Sequence, residues 1–293
     1  MKISIFLGLI LVFLGLSCDL INPDEPVPGY VVVEPFRFSA NPLSQGSSSS
    51  KITEVWASSG QDFLGVFPLP ATVPILKNGL HTLTFQAGIK DNGIGALPEI
   101  YPFYAPFTAE VDLQPNQTTT IRPVIQYLPE TKFAFIENFE GNEHIFRTLR
   151  IGGPGQAMQR STESPFEGQA CGLVTLDSTQ SVAEIATWRI FSNLNASSPF
   201  VYLEMDYKSE APVLVGLVGY RNGGSAAGQT VYEAGFLPKE NWNKIYFNLS
   251  KVIFDNRFDG YQISIQAAIP VRDGKLERNT ARIWLDNVKL VHF

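Results

Sequence analysis

The sequence has only two cysteines, Cys18 and Cys171, and three histidines in 293 residues. No histidine has a second histidine or a cysteine two to five positions away, so the spacing typical of zinc sites is absent. The GxSxG, HExxH, P-loop and GxGxxG motifs are absent as well. The enzyme and nucleotide-binding classes that these motifs mark are therefore excluded.

Clusters of lysine and arginine are also missing. The net charge is −6 and the isoelectric point is about 5.2, which disfavours a nucleic-acid partner, because nucleic-acid binding normally needs a basic patch. Beyond residue 16 no apolar run approaches the roughly 18 residues of a membrane-spanning helix. No stretch with helical periodicity is longer than about two turns. The lack of helical periodicity therefore predicts a protein built mainly from strands.

The first residues, 1–17 (MKISIFLGLILVFLGLS), have the organisation of a secretory signal, with Lys2, an apolar run and small Ser17. Cys18 follows directly. This arrangement resembles the bacterial lipobox, in which the cysteine is acylated, although Gly15 stands where leucine is usual. The resemblance implies that lipid on Cys18 anchors the protein to a membrane. The alternative is an ordinary signal peptide followed by a coincidental cysteine.

Residues 18–29 (CDLINPDEPVPG) are rich in proline and acids, which predicts an extended tether. The acids at 19, 24 and 25 loosely resemble the surface-export signals of Bacteroidota lipoproteins. This resemblance implies an outer-membrane lipoprotein, on either face of the membrane. Lipidation of Cys18 leaves Cys171 without a disulfide partner, and its apolar surroundings predict a core residue rather than a reactive thiol.

Without the signal, about 275 residues remain, enough for two domains. Most of them alternate apolar and polar residues with a period of two, which is typical of strands. We therefore predict an all-β protein. An immunoglobulin-like or transthyretin-like sandwich covers 30–128, and a jelly-roll sandwich covers 129–293. Within these domains, Asn78-Gly79 predicts a type I′ hairpin, and 222–228 (NGGSAAG) predicts a flexible hairpin connection.

Two segments of the second half, 137–141 (ENFEG) and 283–290 (IWLDNVKL), resemble the first and last strands of galactose-binding-like jelly rolls. Many carbohydrate-binding modules share that fold, so the resemblance implies glycan binding. The first half resembles a recurrent domain of uncharacterised Bacteroidota lipoproteins, on residues 51–76, the Asn-Gly turn and 101–107 (YPFYAPF). That resemblance implies no particular activity.

The jelly-roll resemblance also implies a structural calcium ion between the first and last strands. Glu137, Glu140 and Asp286 are the carboxylates that would bind it, with backbone carbonyls completing the shell. The alternative is that Asp286-Asn287 forms only a bulge within the last strand pair.

Candidate ligand-binding residues are Tyr202, Tyr220, Arg221 and Trp242. Exposed aromatic rings stack on sugars, and Tyr220-Arg221 lies at a strand end, where jelly-roll loops often bind ligand; the alternative is that the rings are core residues. Tyr202, Glu204 and Asp206 share one face of their strand, and Leu203, Met205 and Tyr207 share the other, which is predicted to be core. Glu204 and Asp206 are a possible hydrolase pair, but a solvated face is the preferred interpretation.

Residues 101–107 place four aromatic rings around two prolines. They predict either an internal packing segment, which we prefer, or an exposed patch for a partner. The leading functional hypothesis is a non-enzymatic envelope lipoprotein that binds a glycan or a protein. The alternative is a structural or accessory subunit of an outer-membrane secretion, adhesion or motility complex. A hydrolase is the third hypothesis.

Overall fold

A computed structural model describes residues 25–96, 98–195, 197–221 and 228–293. Nearly all regular elements in these ranges are strands, so the predicted all-β class is confirmed. A 3₁₀ turn at Pro154–Gln156 and one short α-helix, α1 (Ser250–Asn256), are the helices of the described residues. No helix in these ranges is long and apolar enough to cross a membrane. The predicted signal, Cys18 and residues 19–24 of the tether lie outside them.

The N-terminal half is a β-sandwich of short strands. They are β1 (Gly29–Val33), β2 (Arg37–Phe38), β3 (Glu54–Ser59), β4 (Asp62–Pro68), β5 (Ala71–Ile75), β6 (Gly79–Lys90), β7 (Pro98–Ile100), β8 (Phe107–Leu113), β9 (Thr118–Ile121) and β10 (Val124–Ile125). One sheet has the order β5-β1-β9, and the other has the order β4-β3-β6-β7, with β8 also paired to β6. Strands β2 and β10 form a separate pair. The predicted sandwich is therefore present; its immunoglobulin-like or transthyretin-like type stays a prediction.

Period-two alternation explains how these strands build a core. In β1, Val31 and Val33 are fully buried, whereas the residues that alternate with them, Tyr30 and Val32, are partly exposed. The facing sheet contributes Phe85 and other buried side chains of β3, β6 and β8 to the same cluster. Each sheet therefore turns one apolar face inward, as alternation along a strand requires.

The hairpin predicted at Asn78-Gly79 is wrong. Strand β5, before the turn, pairs with β1, whereas β6, after it, pairs with β3 and β8. The turn therefore carries the chain from one sheet to the other. Gly79 has φ of 85°, but Asn78 is not among the described residues with positive φ, and a type I′ turn needs positive φ at both. An Asn-Gly pair favours a turn, but it does not determine whether the two strands that flank the turn pair with each other.

The C-terminal half forms a second sandwich of two larger sheets. Its strands are β11 (Lys132–Glu137), β12 (Thr148–Ile151), β13 (Gln159–Ser161), β14 (Cys171–Asp177), β15 (Val182–Ala186), β16 (Val201–Ser209), β17 (Val213–Tyr220), β18 (Gln229–Phe236), β19 (Lys239–Asn248), β20 (Gly260–Ala268), β21 (Val271–Arg272), β22 (Lys275–Leu276) and β23 (Thr280–His292). The back sheet has the order β13-β14-β23-β16-β19, with β11 also paired to β23. The front sheet has the order β12-β15-β20-β17-β18.

The core of this sandwich contains the residues that alternation predicts. Leu203, Met205 and Tyr207 of β16 belong to the buried cluster between the two sheets. Cys171 is buried and free, and burial, followed by the charges of Asp286 and Glu163, raises the pKa of its thiol to about 12. The prediction that Cys171 is a core residue is confirmed.

The N-terminal sandwich covers the outer face of the back sheet. Tyr202, Tyr246 and Val291 of the back sheet join the apolar cluster of the N-terminal half. Tyr101 and Phe103 of the aromatic segment are fully buried against them, so the packing role of residues 101–107 is confirmed. The predicted boundary at residues 128 and 129 lies between β10 and β11. One face of the jelly roll is thus closed to solvent, and the outer face of the front sheet is the one turned away from the N-terminal half.

Candidate functional site: the groove of the front sheet

The outer face of the front sheet is polar. In β20 the core side chains alternate with Gln262 and Ser264, which project from the opposite face. The other strands of the sheet add polar and aromatic side chains to that face. We call this face the groove; its residues are Arg150, Glu184, Val218, Tyr220, Thr230, Tyr232, Gln262 and Ser264.

The front sheet is strongly curved about this face. Strands β12 and β18 are its two edges, four strand spacings apart, which is about 19 Å in a flat sheet. Yet Arg150 Nη2 of β12 donates to Thr230 Oγ1 and to the carbonyl of Gly228, beside β18, at 3.3 and 3.2 Å. One arginine side chain can join the two edges only if the sheet curls. The face is therefore concave.

Gly216 shows how closely the strands approach at this bend. The pairing of β17 and β18 shifts register between Val215 and Gly216. A Cβ atom at Gly216 would lie 2.1 Å from the carbonyl oxygen of Val231. Only glycine fits such a close backbone approach, so this residue permits the local geometry of the curved edge.

Glu184 is the centre of the hydrogen-bond network in the groove. Its Oε1 accepts hydrogen bonds from Arg150 Nε, Thr230 Oγ1 and Ser264 Oγ, each at 2.9 Å. Burial, together with the charge and hydrogen bond of Glu184, raises the pKa of Tyr232 to about 12. Three strands, β12, β18 and β20, therefore supply side chains to one carboxylate on β15, which fixes their positions before any ligand arrives.

The other end of the groove is organised by Gln262. Its Oε1 accepts a hydrogen bond from the Tyr220 hydroxyl, and its Nε2 donates to the carbonyl of Thr187. Gln262 is 5 % exposed, and Tyr220, at the rim, is only partly buried. The groove thus has a buried polar floor and more accessible aromatic side chains. Directional polar groups beside an accessible ring are the usual ingredients of a small-molecule site.

A second polar group lies between the two halves, on the outer face of the back sheet. Glu204 is fully buried there, and its Oε1 accepts hydrogen bonds from the hydroxyls of Tyr101 and Tyr127 at 2.6 and 2.8 Å. Lys244 Nζ lies 3.5 Å from Glu204 Oε2 and 3.8 Å from Asp206 Oδ2. We call these five residues the interdomain cluster.

The buried surroundings of the interdomain cluster shift the pKa values of its side chains. Burial raises the pKa values of Tyr101 and Tyr127, and the charge of Glu204 raises both further. Burial also raises the pKa of Asp206, against the opposing effect of Lys244. Nearby, burial lowers the pKa of Lys289 to about 8. The cluster therefore links the two halves through hydrogen bonds to Glu204.

The solvated face predicted for Glu204 and Asp206 is wrong. Alternation separates them correctly from Leu203 and Met205, but the N-terminal sandwich covers the face that they share. A bound substrate cannot reach these carboxylates in the folded chain. The pair is therefore unsuited to the role of hydrolase carboxylates.

The four predicted ligand-binding residues lie in separate places. Tyr220 is in the groove. Tyr202 is buried, and its hydroxyl lies 3.1 Å from both carboxylate oxygens of Asp91, so its predicted role in ligand binding is wrong. Trp242 lies on β19, and its Nε1 donates to the carbonyl of Ser164 at 3.1 Å.

Arg221 has a structural contact at the end of α1. Its guanidinium donates to the carbonyls of Asn256 and Arg257 at 2.9 and 3.3 Å and lies over the ring of Phe258. These are the carbonyls that a helix C-terminus leaves without partners. The structure therefore does not bring Tyr202, Tyr220, Arg221 and Trp242 together in one site.

The predicted calcium ligands Glu137, Glu140 and Asp286 each accept hydrogen bonds from backbone N–H groups. Within the described ranges, no three acid, histidine or cysteine side chains form a group that could hold a metal ion. Calcium binding by these residues stays a prediction. The donors are Phe139 and Ile145 for Glu137, Gln169 and Ala170 for Glu140, and Phe166, Glu167 and Asn287 for Asp286.

The alternative for Asp286-Asn287, a bulge, is present. Asp206 pairs with Asp286 and Glu204 pairs with Lys289, so Asn287 and Val288 together face the single residue Met205. Asn287 has φ of 47°, a conformation that asparagine tolerates better than most residues.

Sequence reasoning missed Arg150, Glu184, Thr230, Gln262 and Ser264. Their signal is present, because polar residues alternate with Ile263 and Ile265 in β20. A flat solvated face gives the same pattern, however, and curvature depends on contacts between distant strands. Residues 222–227 of the predicted hairpin connection lie outside the described part of the chain.

No protein-family model and no curated protein matches the chain. Solved structures of similar fold include carbohydrate-binding modules of β-sandwich type. One, from a study of the promiscuous specificity of such modules, has a TM-score of 0.35 and 15% identity, and covers 82% of this chain and 85% of its own. A xylan-binding domain from Paenibacillus barcinonensis has a TM-score of 0.35 and 12% identity over 55% of this chain and 94% of its own.

A third module, solved in complex with β-1,4-galactotriose, has a TM-score of 0.32 and 15% identity, and covers 54% of this chain and 95% of its own. Similarity at this level assigns neither a family nor a ligand to this chain.

Proposed function

We propose that this chain is a glycan-binding protein of the bacterial cell envelope and that the groove of the front sheet is its binding site. The observation that carries the proposal is the curvature that brings Arg150, Glu184 and Thr230 together across the concave face. Sugars present many hydroxyl groups. A concave face with preorganised donors and acceptors can bind these groups without ordering flexible side chains at the moment of binding.

The aromatic side chains of the groove support the same proposal. Tyr220 and Tyr232 are partly buried, so part of each ring is accessible from solvent. Accessible rings can pack against the apolar faces of sugars while the neighbouring polar groups bind hydroxyls. We propose binding rather than turnover, with the glycan held along the concave face.

The test is a glycan array followed by calorimetry on the full chain purified in detergent. We expect the chain to retain at least one polysaccharide. Tyr232→Ala and Arg150→Met should each weaken that binding by about tenfold or more, the equivalent of one good polar contact. Trp242→Ala is the matched aromatic control, because Trp242 lies on the back sheet, and it should leave the affinity unchanged.

Circular dichroism and thermal unfolding of each variant separate loss of binding from loss of fold. Absence of any retained polysaccharide contradicts the proposal. A loss of affinity in Trp242→Ala with none in the groove variants contradicts the assignment of the site.

The proposal includes an anchor through lipid on Cys18, which rests on the lipobox-like sequence before it. Radiolabelled palmitate should enter the wild-type chain in the producing bacterium, and Cys18→Ser should abolish both labelling and recovery in the membrane fraction. Labelling that persists in Cys18→Ser would contradict the anchor and leave the groove proposal unaffected.

A role as a structural subunit has less support from the fold. Residues 101–107 are its candidate docking segment, and Tyr101, Phe103 and Tyr104 are buried inside the chain. They offer no surface to a partner. The concave polar face of the groove and its partly accessible tyrosines therefore make glycan binding the better-supported function.

A further inference from the structure

A cleft of about 540 Å³ lies between the two halves, away from the groove. Its walls come from the end of β6 and the following turn, from Lys51, and from the β18–β19 corner with the adjoining part of β19. This volume falls in the range of roughly 300–1,000 Å³ that is typical of small-molecule sites. The cleft is therefore large enough for an organic ligand of one or two rings.

The charged side chains that line the cleft are all positive. Four lysines line the cleft, Lys51, Lys90, Lys239 and Lys244, and no aspartate or glutamate does. Lys90 pairs with Glu54, and Lys244 pairs with Glu204 and Asp206. Each of these two ammonium groups thus has a carboxylate partner of its own.

Lys51 and Lys239 have no such partner. Neither forms an ion pair with a carboxylate within the described ranges. Lys51 Nζ donates instead to the amide oxygen of Asn243 at 2.6 Å. Partial burial lowers the pKa of Lys51, and the positive charge of Lys239 lowers it further. Two cations that repel each other across a cleft favour an anion between them.

Part of the remaining wall is apolar. Ile94 and Leu237 line the cleft with large exposed fractions, 47 % and 73 %. An inorganic anion gains nothing from these side chains, whereas an organic ring can cover them. We infer that the cleft binds an organic carboxylate of one or two rings, with Lys51 and Lys239 binding the carboxylate and Ile94 and Leu237 packing against the ring. Uronic acid units of a glycan and free ring carboxylates share this chemistry.

The experiment is calorimetry on the full chain at low and high sodium chloride, with three probes. They are α-1,4-trigalacturonate, the uncharged α-1,4-galactose trisaccharide and monomeric galacturonate. We expect trigalacturonate to bind at low salt and to weaken as salt rises, because ion pairs in a partly open cleft are screened. Lys51→Gln and Lys239→Gln should each weaken it by about tenfold, whereas Lys275→Gln, an exposed lysine of β22, should not.

If monomeric galacturonate binds with an affinity comparable to that of trigalacturonate, a single ring carboxylate is sufficient for binding. If trigalacturonate binds more tightly, the ligand is the uronic acid part of a glycan. Failure of both acids to bind at low salt, or binding that is unchanged in Lys51→Gln and Lys239→Gln, overturns the inference. So does sodium sulfate that competes as strongly as either acid. Binding of the uncharged trisaccharide tests only the groove, so the two sites can fail separately.

Discussion

Glu204 shows what one buried charge requires of its surroundings. A carboxylate removed from water loses several kcal/mol of hydration, which only hydrogen bonds and an opposite charge can offset. Tyr101 and Tyr127 donate to one oxygen, and Lys244 lies beside the other. The three partners come from both halves of the chain, so this residue links their stabilities.

Lys244→Met should therefore lower the free energy of unfolding by about 3–5 kcal/mol, because it removes the ion-pair partner that buried Glu204 and Asp206 share. Urea denaturation followed by circular dichroism measures the change. Adding Glu204→Gln should recover most of the loss, since the uncompensated charge is then gone. Lys251→Met, at a side chain of α1 that is 75 % exposed, is the matched control and should leave the midpoint unchanged. A double variant no more stable than Lys244→Met would contradict this account.

Asp286 should give the fold a pH dependence. Burial raises its pKa from 3.8 to about 7. Between pH 4 and pH 7 the unfolded chain loses this proton while the folded chain keeps it, so this residue makes the free energy of unfolding fall as the pH rises. Asp286→Asn should have a shallower fall over this window in urea titrations at several pH values. Asp112→Asn, at an exposed site, should keep the wild-type slope; equal slopes in all three proteins would exclude this role.

At single residues, the sequence predicts which side of a strand a side chain occupies better than what covers that side. Alternation correctly places Leu203 and Glu204 on opposite faces, yet water was the expected surrounding of Glu204. Alternation has a period of two whether the polar face meets solvent or another domain. The information that decides burial lies in Tyr101 and Tyr127, 103 and 77 positions away.

Among the elements, β18 determines the shape of the candidate site. Its register shift against β17 and the close approach at Gly216 accompany the curl that brings Thr230 to Glu184 and Arg150. Bulges bend the strand that contains them and increase its twist. The geometry of the groove is thus coupled to a backbone irregularity in one edge strand.

Gly216→Ala should consequently damage both stability and binding. The added Cβ would meet the Val231 carbonyl at 2.1 Å, so β18 must move. We expect a loss of about 1–3 kcal/mol in unfolding free energy and loss of glycan binding in the array. Gly155→Ala is the control, since nothing lies within 4 Å of the position that its added methyl group would take. Wild-type stability and binding in Gly216→Ala would show that the strand does not depend on this glycine.

The strands themselves were largely predictable, but their partners were not. Alternation indicated the strand after Asn78-Gly79, and turn chemistry indicated the turn. Pairing depends on which apolar faces meet in space, and β5 and β6 meet different sheets. The curvature of the front sheet escaped prediction for the same reason.

At the scale of the whole molecule, the two sandwiches share one interior surface. The aromatic segment and the interdomain cluster bury polar and apolar groups from both halves. Separation would expose aromatic rings and leave Glu204 without its tyrosine partners. The halves are therefore expected to lose structure together.

Urea unfolding should accordingly be a single transition in which both halves share one midpoint. Hydrogen exchange with mass spectrometry at increasing urea reports peptides of each half separately. In Tyr127→Phe, which removes one donor to Glu204, both midpoints should fall together. Midpoints that differ in the wild type, or a shift confined to one half, would mean that the halves unfold independently.

Strand β23 has a consequence for how the protein is made. It pairs with β11, β14 and β16, and it follows all three in the chain. During synthesis the back sheet therefore lacks its central strand until β23 itself has been translated, after all three of its partners. Until then the partner strands have unpaired edges, and such edges are prone to pair with other chains. Under the envelope location proposed above, the same delay would keep the chain unfolded enough to pass through an export channel.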